Sequence, residues 1–204
     1  MHEIEKLTPG HNLQRFGVYE NVFDEDEINK IRFFKKIINF ESGETYSERS
    51  EGKKVPDSTD KVRDCKVASL HREQNTNIVY EKIGHLVGRA NYDHFLYPII
   101  GMEDIQYVIY DGPGTKYDPH TDVLLQGYRP KDRRISGIVM LSDPEDYEGG
   151  ELTIDLDGNG HLYPIELKKG AVVFFDSHML HQVTPLISGN RETLVFWVWG
   201  DSQI

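Results

Sequence analysis

In the first 104 residues, apolar positions recur at helical spacing in two places. Ile28, Ile31, Phe34 and Ile38 follow Asp24, an N-cap residue with Glu27 three positions on, the pairing of a capping box. The spacing predicts a helix ending near Phe40. Ile78, Val79, Ile83, Leu86 and Val87 predict a second helix over about Thr76–Tyr92, with these residues on its apolar side. Phe16–Phe23 alternates loosely and reads as a strand, and Cys65–Leu70 as a short one. Between them, residues 41–62 (ESGETYSERSEGKKVPDSTDKV) form the most polar stretch, with no periodicity. The expectation is a long loop of the kind that serves as a lid or binding loop.

From Ile105 the period changes. Short β-rich runs alternate with Gly, Pro and Asp turns: Ile105–Tyr110, Tyr117–Val123, Ile135–Leu141, Glu151–Leu156, His161–Leu167, Ala171–Phe175, His181–Leu186 and Thr193–Trp199. The predicted class is mostly β, a double-sheet jelly roll supported by N-terminal α-helices. A length of 204 residues suits one domain. Within it, residues 1–104 would be the helical support and 105–204 the β core.

Composition narrows the setting. The net charge of −11 disfavours non-specific binding to nucleic acid, whose phosphates would be repelled. Cys65 is the only cysteine, so no intrachain disulfide can form and a reducing compartment is expected. Met1–Gly10 lacks the apolar core of a signal peptide, and no apolar run approaches the ~20 residues that span a bilayer. These features point to a soluble cytoplasmic protein without a membrane partner.

The chemistry concentrates in the β-rich part. His120 and Asp122 would face the same way on a strand, so one imidazole and one carboxylate can share a cation. Alone, a His-x-Asp pair recurs by chance. His181 lies 61 residues downstream in HQVTP and supplies a third ligand. Two histidines and one carboxylate suit the facial triad of non-haem iron(II) sites, and zinc accepts the same set. Arg191 follows His181 by ten residues, across Ser188-Gly189-Asn190. A hairpin there would return Arg191 beside the metal site, where its guanidinium offers a planar two-pronged donor for a carboxylate.

Taken together, Tyr117-Asp-Pro-His120-Thr-Asp122, Arg134-Ile-Ser-Gly-Ile, the run from Leu141 to Leu152 and His181-Gln-Val-Thr-Pro with Gly189-Asn-Arg191 resemble the prolyl 4-hydroxylase-like branch of the iron(II)/2-oxoglutarate dioxygenases, its bacterial PKHD-type members above all. The resemblance covers 105–200 in order and spacing. It implies a double-stranded β-helix with His120, Asp122 and His181 as iron ligands. It also implies that Arg191 pairs with the distal carboxylate of 2-oxoglutarate, that Tyr117 lines the cosubstrate pocket, and that Trp197 lies near the substrate. Iron(II), 2-oxoglutarate and dioxygen are the implied cofactors. The implied activity is hydroxylation of an unactivated C–H bond on a peptide or protein side chain such as proline, a small-molecule substrate remaining open. Many prolyl hydroxylases carry Lys where this chain has Arg191, which loosens the inference about substrate. A cupin-type metal enzyme without 2-oxoglutarate would use the same three ligands but leave Arg191 without a role. A lectin-like jelly roll with a vestigial metal site would be expected to have lost ligands.

Other signals are set aside. Asp155-Leu-Asp157-Gly-Asn159-Gly160 with Glu166 matches a calcium-loop pattern, but its flanks read as strands rather than helices, so a hairpin turn is expected. His71-Arg-Glu73 lacks downstream partners. His178, three residues from His181, would point to the opposite face of a strand. Leu124–Arg134 is locally basic and reads as a solvated loop or a rim of the pocket.

Overall fold

A computed structural model describes residues 15–43, 62–123 and 131–201. Residues 44–61 of the polar loop and 124–130 of the basic segment lie outside the described residues.

The chain opens with β1 (Phe16–Tyr19) and α1 (Glu25–Phe34). The capping box is present: the Asp24 carboxylate accepts from the Glu27 N–H, and the Glu27 carboxylate from the Asp24 N–H. This satisfies two donors that a helix start would otherwise strand. The helix stops at Phe34, short of Phe40. Lys36 and Ile37 donate to the carbonyls three residues back, so the helix tightens into turns. α2 runs over Asn77–Ala90 and passes into a π-helical turn, Asn91–Phe95. Val79, Ile83 and Val87 are buried as expected, whereas Ile78 is 63% exposed. A helix of this length presents one stripe to the sheet, and Ile78 falls outside it.

Between and after the helices come β2 (Glu41–Ser42), β3 (Arg63–Asp64), β4 (Lys66–Leu70), β5 (Ile99–Met102), β6 (Ile105–Tyr110) and β7 (Lys116–His120). β8 (Lys131–Met140), β9 (Tyr147–Gly149), β10 (Leu152–Ile154), β11 (Tyr163–Pro164) and β12 (Val172–Asp176) follow. β13 (His181–Val183), β14 (Leu186–Gly189) and β15 (Arg191–Asp201) complete the order. β2, β3, β5 and β9 were not expected, and β2 falls within the first residues of the stretch read as a loop. The expected strand at His161–Leu167 reduces to β11, and the expected strand over His181–Leu186 splits into β13 and β14.

The larger sheet runs β1-β12-β8-β15-β6-β4-β2, with β5 also on β15; the smaller runs β11-β10-β13-β7-β3. All their pairings are antiparallel. This is the expected double-stranded β-helix with N-terminal helices.

Alternation along the larger sheet sorts its two faces. On β15, Leu194, Phe196 and Val198 join the cluster beneath the helices, with Ile28, Ile31, Ile83 and Val87. Thr193, Val195 and Trp197 face the other way, toward the smaller sheet. Gly137 on β8 is where the ring of Phe196 crosses: an added Cβ would lie 2.2 Å from that ring. The hairpin reading of Asp155–Gly160 holds. Gly158 and Gly160 have positive φ, and their N–H groups donate to the Asp155 carboxylate as β10 turns toward β11.

Candidate active site

His120 and His181 occupy directly opposed positions on neighbouring strands β7 and β13. Their rings are 4.2 Å apart, centroid to centroid. Each Nδ1 lies on a backbone carbonyl, that of Asp118 at 2.7 Å and of Met179 at 2.9 Å. A carbonyl can only accept, so each Nδ1 carries a proton, and in the neutral ring each Nε2 presents a lone pair. Asp122 closes the group. Its carboxylate oxygens lie 3.7 Å from His120 Nε2 and 3.4 Å from His181 Nε2. One ligand atom from each of the three residues falls within 4.8 Å of the others.

The route to this cluster differs from simple strand alternation. β7 ends at His120, and Asp122 sits just beyond it, tied by its N–H to the Ser177 carbonyl. Ser136 Oγ donates to Asp122 Oδ2 at 2.6 Å and lies 2.9 Å from Ser177 Oγ. Asp122, Ser136 and Ser177 are all buried. Burial would push the Asp122 carboxyl up, but His181, His120 and the Ser136 hydrogen bond outweigh it and hold it well below the usual range. Burial pulls His181 down, and the Asp122 charge and hydrogen bond more than reverse that, leaving it raised. His120 is pushed down to about 4 by burial and then by His181. Three groups that bias one another this strongly are built around a charge.

Tyr117 stacks on His120 at 3.5 Å and 18°. An odd offset of three would normally separate them onto opposite faces. Here His120 pairs with His181 and Tyr117 with Val183, so β7 holds one residue more than β13 between the pairs. That bulge turns both rings to the same side. The Arg63 guanidinium also lies over the Tyr117 ring, 4.9 Å from its centroid. Burial pushes the Tyr117 hydroxyl up to about 12, so it stays a neutral donor.

Arg191 lines the same cavity as the three clustered residues, Tyr117 and Trp197. It is 1% exposed, and its Nε and Nη2 have no hydrogen-bond partner among the described residues. A buried guanidinium with empty donors is costly unless a ligand fills them. The expected hairpin is not how it arrives. β14 pairs with β9, and β15 belongs to the larger sheet, so the chain changes sheets at Gly189-Asn190. Gly189 makes the crossing possible: its φ is +84°, and a Cβ would lie 2.1 Å from the Asp146 carbonyl oxygen. Arg191 and Trp197, six apart on one strand, then share a face.

Trp197 is 5% exposed, and the guanidinium of Arg133 covers its ring at 3.8 Å. Glu103 holds Arg133 through two 2.6 Å hydrogen bonds. Sequence reasoning missed Arg63 and Tyr110, both of which also line the cavity. Tyr110 was legible as the end of an alternating strand; nothing in the sequence placed Arg63. His178 is excluded by a turn rather than by strand alternation, since its N–H and ring bond the Asp176 carboxylate. His71 pairs with Asp104 in a mostly exposed contact.

Residues 105–199 match the family model described as the 2OG-Fe(II) oxygenase superfamily. Through these residues the chain is similar to the 2OG-Fe(II) oxygenase superfamily. It is also similar to a PKHD-type hydroxylase of Maricaulis maris, 40% identical over 85 residues, which is 42% of this chain and 37% of the relative. A PKHD-type hydroxylase of Azoarcus is 42% identical over 88 residues, 40% of this chain and 37% of the relative. The chain thus spans well under half the length of these curated relatives. Among solved structures, a prolyl hydroxylase from Trichoplax adhaerens, in complex with a peptide fragment of a hypoxia-inducible factor, superposes with a TM-score of 0.71. The two are 18% identical, over 93% of this chain and 85% of that one. A Pseudomonas putida prolyl-4-hydroxylase gives 0.65 at 20% identity, over 93% of this chain and 94% of that one. At these identities the likeness is one of fold.

The donor set fits the cofactors of the superfamily. Two imidazole nitrogens and a carboxylate oxygen suit iron(II), leaving open coordination positions. The unfilled donors of Arg191 suit a second carboxylate, as a keto diacid would bring.

Proposed function

We propose that this chain is an iron(II)/2-oxoglutarate-dependent hydroxylase acting on an unactivated C–H bond of a peptide or protein side chain, proline being the first candidate. The observation that carries this reading is Arg191, a buried cation with two empty donor atoms, in one cavity with His120, Asp122 and His181. In this role the three ligands hold the metal, and Arg191 holds the far carboxylate of the cosubstrate. When bound, the metal and cosubstrate supply oxidative decarboxylation to succinate, coupled to insertion of one oxygen atom from dioxygen into the substrate. Tyr117 walls the pocket beside His120, with its hydroxyl kept protonated. Val195, Phe175 and Leu152 line the cavity and exclude water. Trp197, pinned by Arg133, would form the substrate-side wall.

The hydroxylase reading is supported by the PKHD-type relatives, and a prolyl substrate by the fold shared with prolyl hydroxylases. Among the described residues, no helix is long and apolar enough to cross a membrane. A cytoplasmic site of action is supported by the single cysteine, Cys65, which is buried and free. The net charge of −11 argues against nucleic acid as substrate.

The test is succinate release by iron(II)-loaded protein, with 2-oxoglutarate and a panel of proline-containing peptides, each peptide then weighed. Peptide-stimulated succinate with gain of one oxygen atom is expected. Stimulation by small metabolites but by no peptide would overturn the substrate assignment.

A further inference from the structure

Arg191 presents a mechanical problem. Among the described residues its Nε and Nη2 have no hydrogen-bond partner, so few side-chain tethers fix where the guanidinium points. Its backbone must supply that precision. On one side the backbone is well held, because Arg191 pairs with Tyr110 on β6. On the other side the regular pairing of β15 with β8 stops at Thr193 and Met140, two residues short.

Ser142 takes over where that pairing ends. Its hydroxyl accepts the Glu192 N–H at 2.8 Å and donates to the Asn190 carbonyl at 3.2 Å. These are the residues immediately before and after Arg191. The neighbouring Leu141 N–H bonds the Glu192 carbonyl at 3.0 Å. Ser142 itself is 1% exposed, so water does not compete for either bond. The Glu192 side chain is also immobilised, on the opposite face of β15. It takes Lys35 Nζ at 2.7 Å and a short hydrogen bond from the Tyr107 hydroxyl.

We infer that Ser142 is a positioning residue for Arg191: its hydroxyl clips the backbone on both sides of the arginine and thereby aims the guanidinium at the far carboxylate of the cosubstrate. This rests on the cosubstrate reading above. A serine here carries no chemistry of its own. Its effect is confined to how well Arg191 recognises a second carboxylate, because the metal ligands lie on other segments.

The experiment measures binding to manganese(II)-loaded protein by calorimetric titration, with two ligands. One is 2-oxoglutarate. The other is 2-oxopentanoate, which keeps the keto acid and chain length but ends in a methyl group. Arg191→Ala is expected to abolish the preference for 2-oxoglutarate. Ser142→Ala is expected to weaken 2-oxoglutarate by roughly tenfold, the scale of one mispositioned hydrogen-bonding group. It should leave 2-oxopentanoate and manganese(II) binding within about twofold of wild type. Ser142→Cys, which keeps the volume and loses most of the hydrogen bonding, should behave like Ser142→Ala and serves if the alanine variant folds poorly. A general structural defect would weaken both keto acids alike, and that result overturns the inference. So does an unchanged 2-oxoglutarate affinity in both serine variants. If Arg191→Ala keeps the preference for 2-oxoglutarate, the cosubstrate reading itself falls, and with it the role of Ser142.

Discussion

The two ends of the cavity bury opposite charges and treat them in opposite ways. At the metal end Asp122 is braced: Ser136 Oγ donates to its carboxylate, its backbone N–H bonds the Ser177 carbonyl, and two imidazoles stand beside it. At the other end Arg191 is as deeply buried and leaves two donors empty. A carboxylate fixed from several sides is prepared for an ion that must be held in one geometry. A guanidinium that rests near the Tyr110 ring, 5.5 Å from its centroid, and keeps two donors unfilled suits the proposed ligand, which brings its own counter-charge. The protein therefore carries the cost of the second charge in the free state, as functional sites often do.

The largest expected effect comes from the Asp122 end. Asp122→Ala should weaken iron(II) or manganese(II) binding by more than the ~10–100-fold that follows loss of an outer hydrogen-bond partner. Metal titration by calorimetry checks this, and near-native affinity would break the contrast. Next, Arg191→Met should weaken 2-oxoglutarate by about 100-fold, since charge-assisted bonds to a carboxylate are lost. The same change should raise the melting temperature of the free protein by roughly 2–4 °C, because removing an unpaired buried charge relieves about 1 kcal/mol. Loss of stability instead would show that the guanidinium has a partner. Ser136→Ala should weaken the metal by about tenfold with little change in 2-oxoglutarate binding to fully metal-loaded protein.

The smallest effect is on pH. His181 must be neutral to bind metal, and its pKa is raised above 6.5. Metal affinity should therefore climb with pH by up to about tenfold per unit until that raised value is passed, and then flatten. Acid deepens the loss as His120 takes a proton near pH 4. Affinity independent of pH across this range would contradict the assignment of His181.

The contrast also separates what the sequence revealed from what it hid. The triad was legible because His120, Asp122 and His181 are chemically distinctive types at tell-tale spacing. The capping box of α1 and the alternation of β6 were legible because they are local. What stayed hidden depends on pairing between distant segments. The bulge that swings Tyr117 beside His120 is set by the register of β7 on β13. Arg191 was foreseen in the right place by the wrong path, because a change of sheet at Gly189 and a hairpin leave similar turn residues. Arg63 comes to the cavity only through β3 pairing with β7. The bracket that Ser142 forms about Arg191 joins positions 48 and 50 residues apart.

The most direct test is anaerobic titration of 2-oxoglutarate into the iron(II)-loaded protein, beside Arg191→Met. The account predicts saturable binding at one site in the wild type and about 100-fold weaker binding in the variant. Absence of binding to the wild type, or equal binding to both, would contradict it.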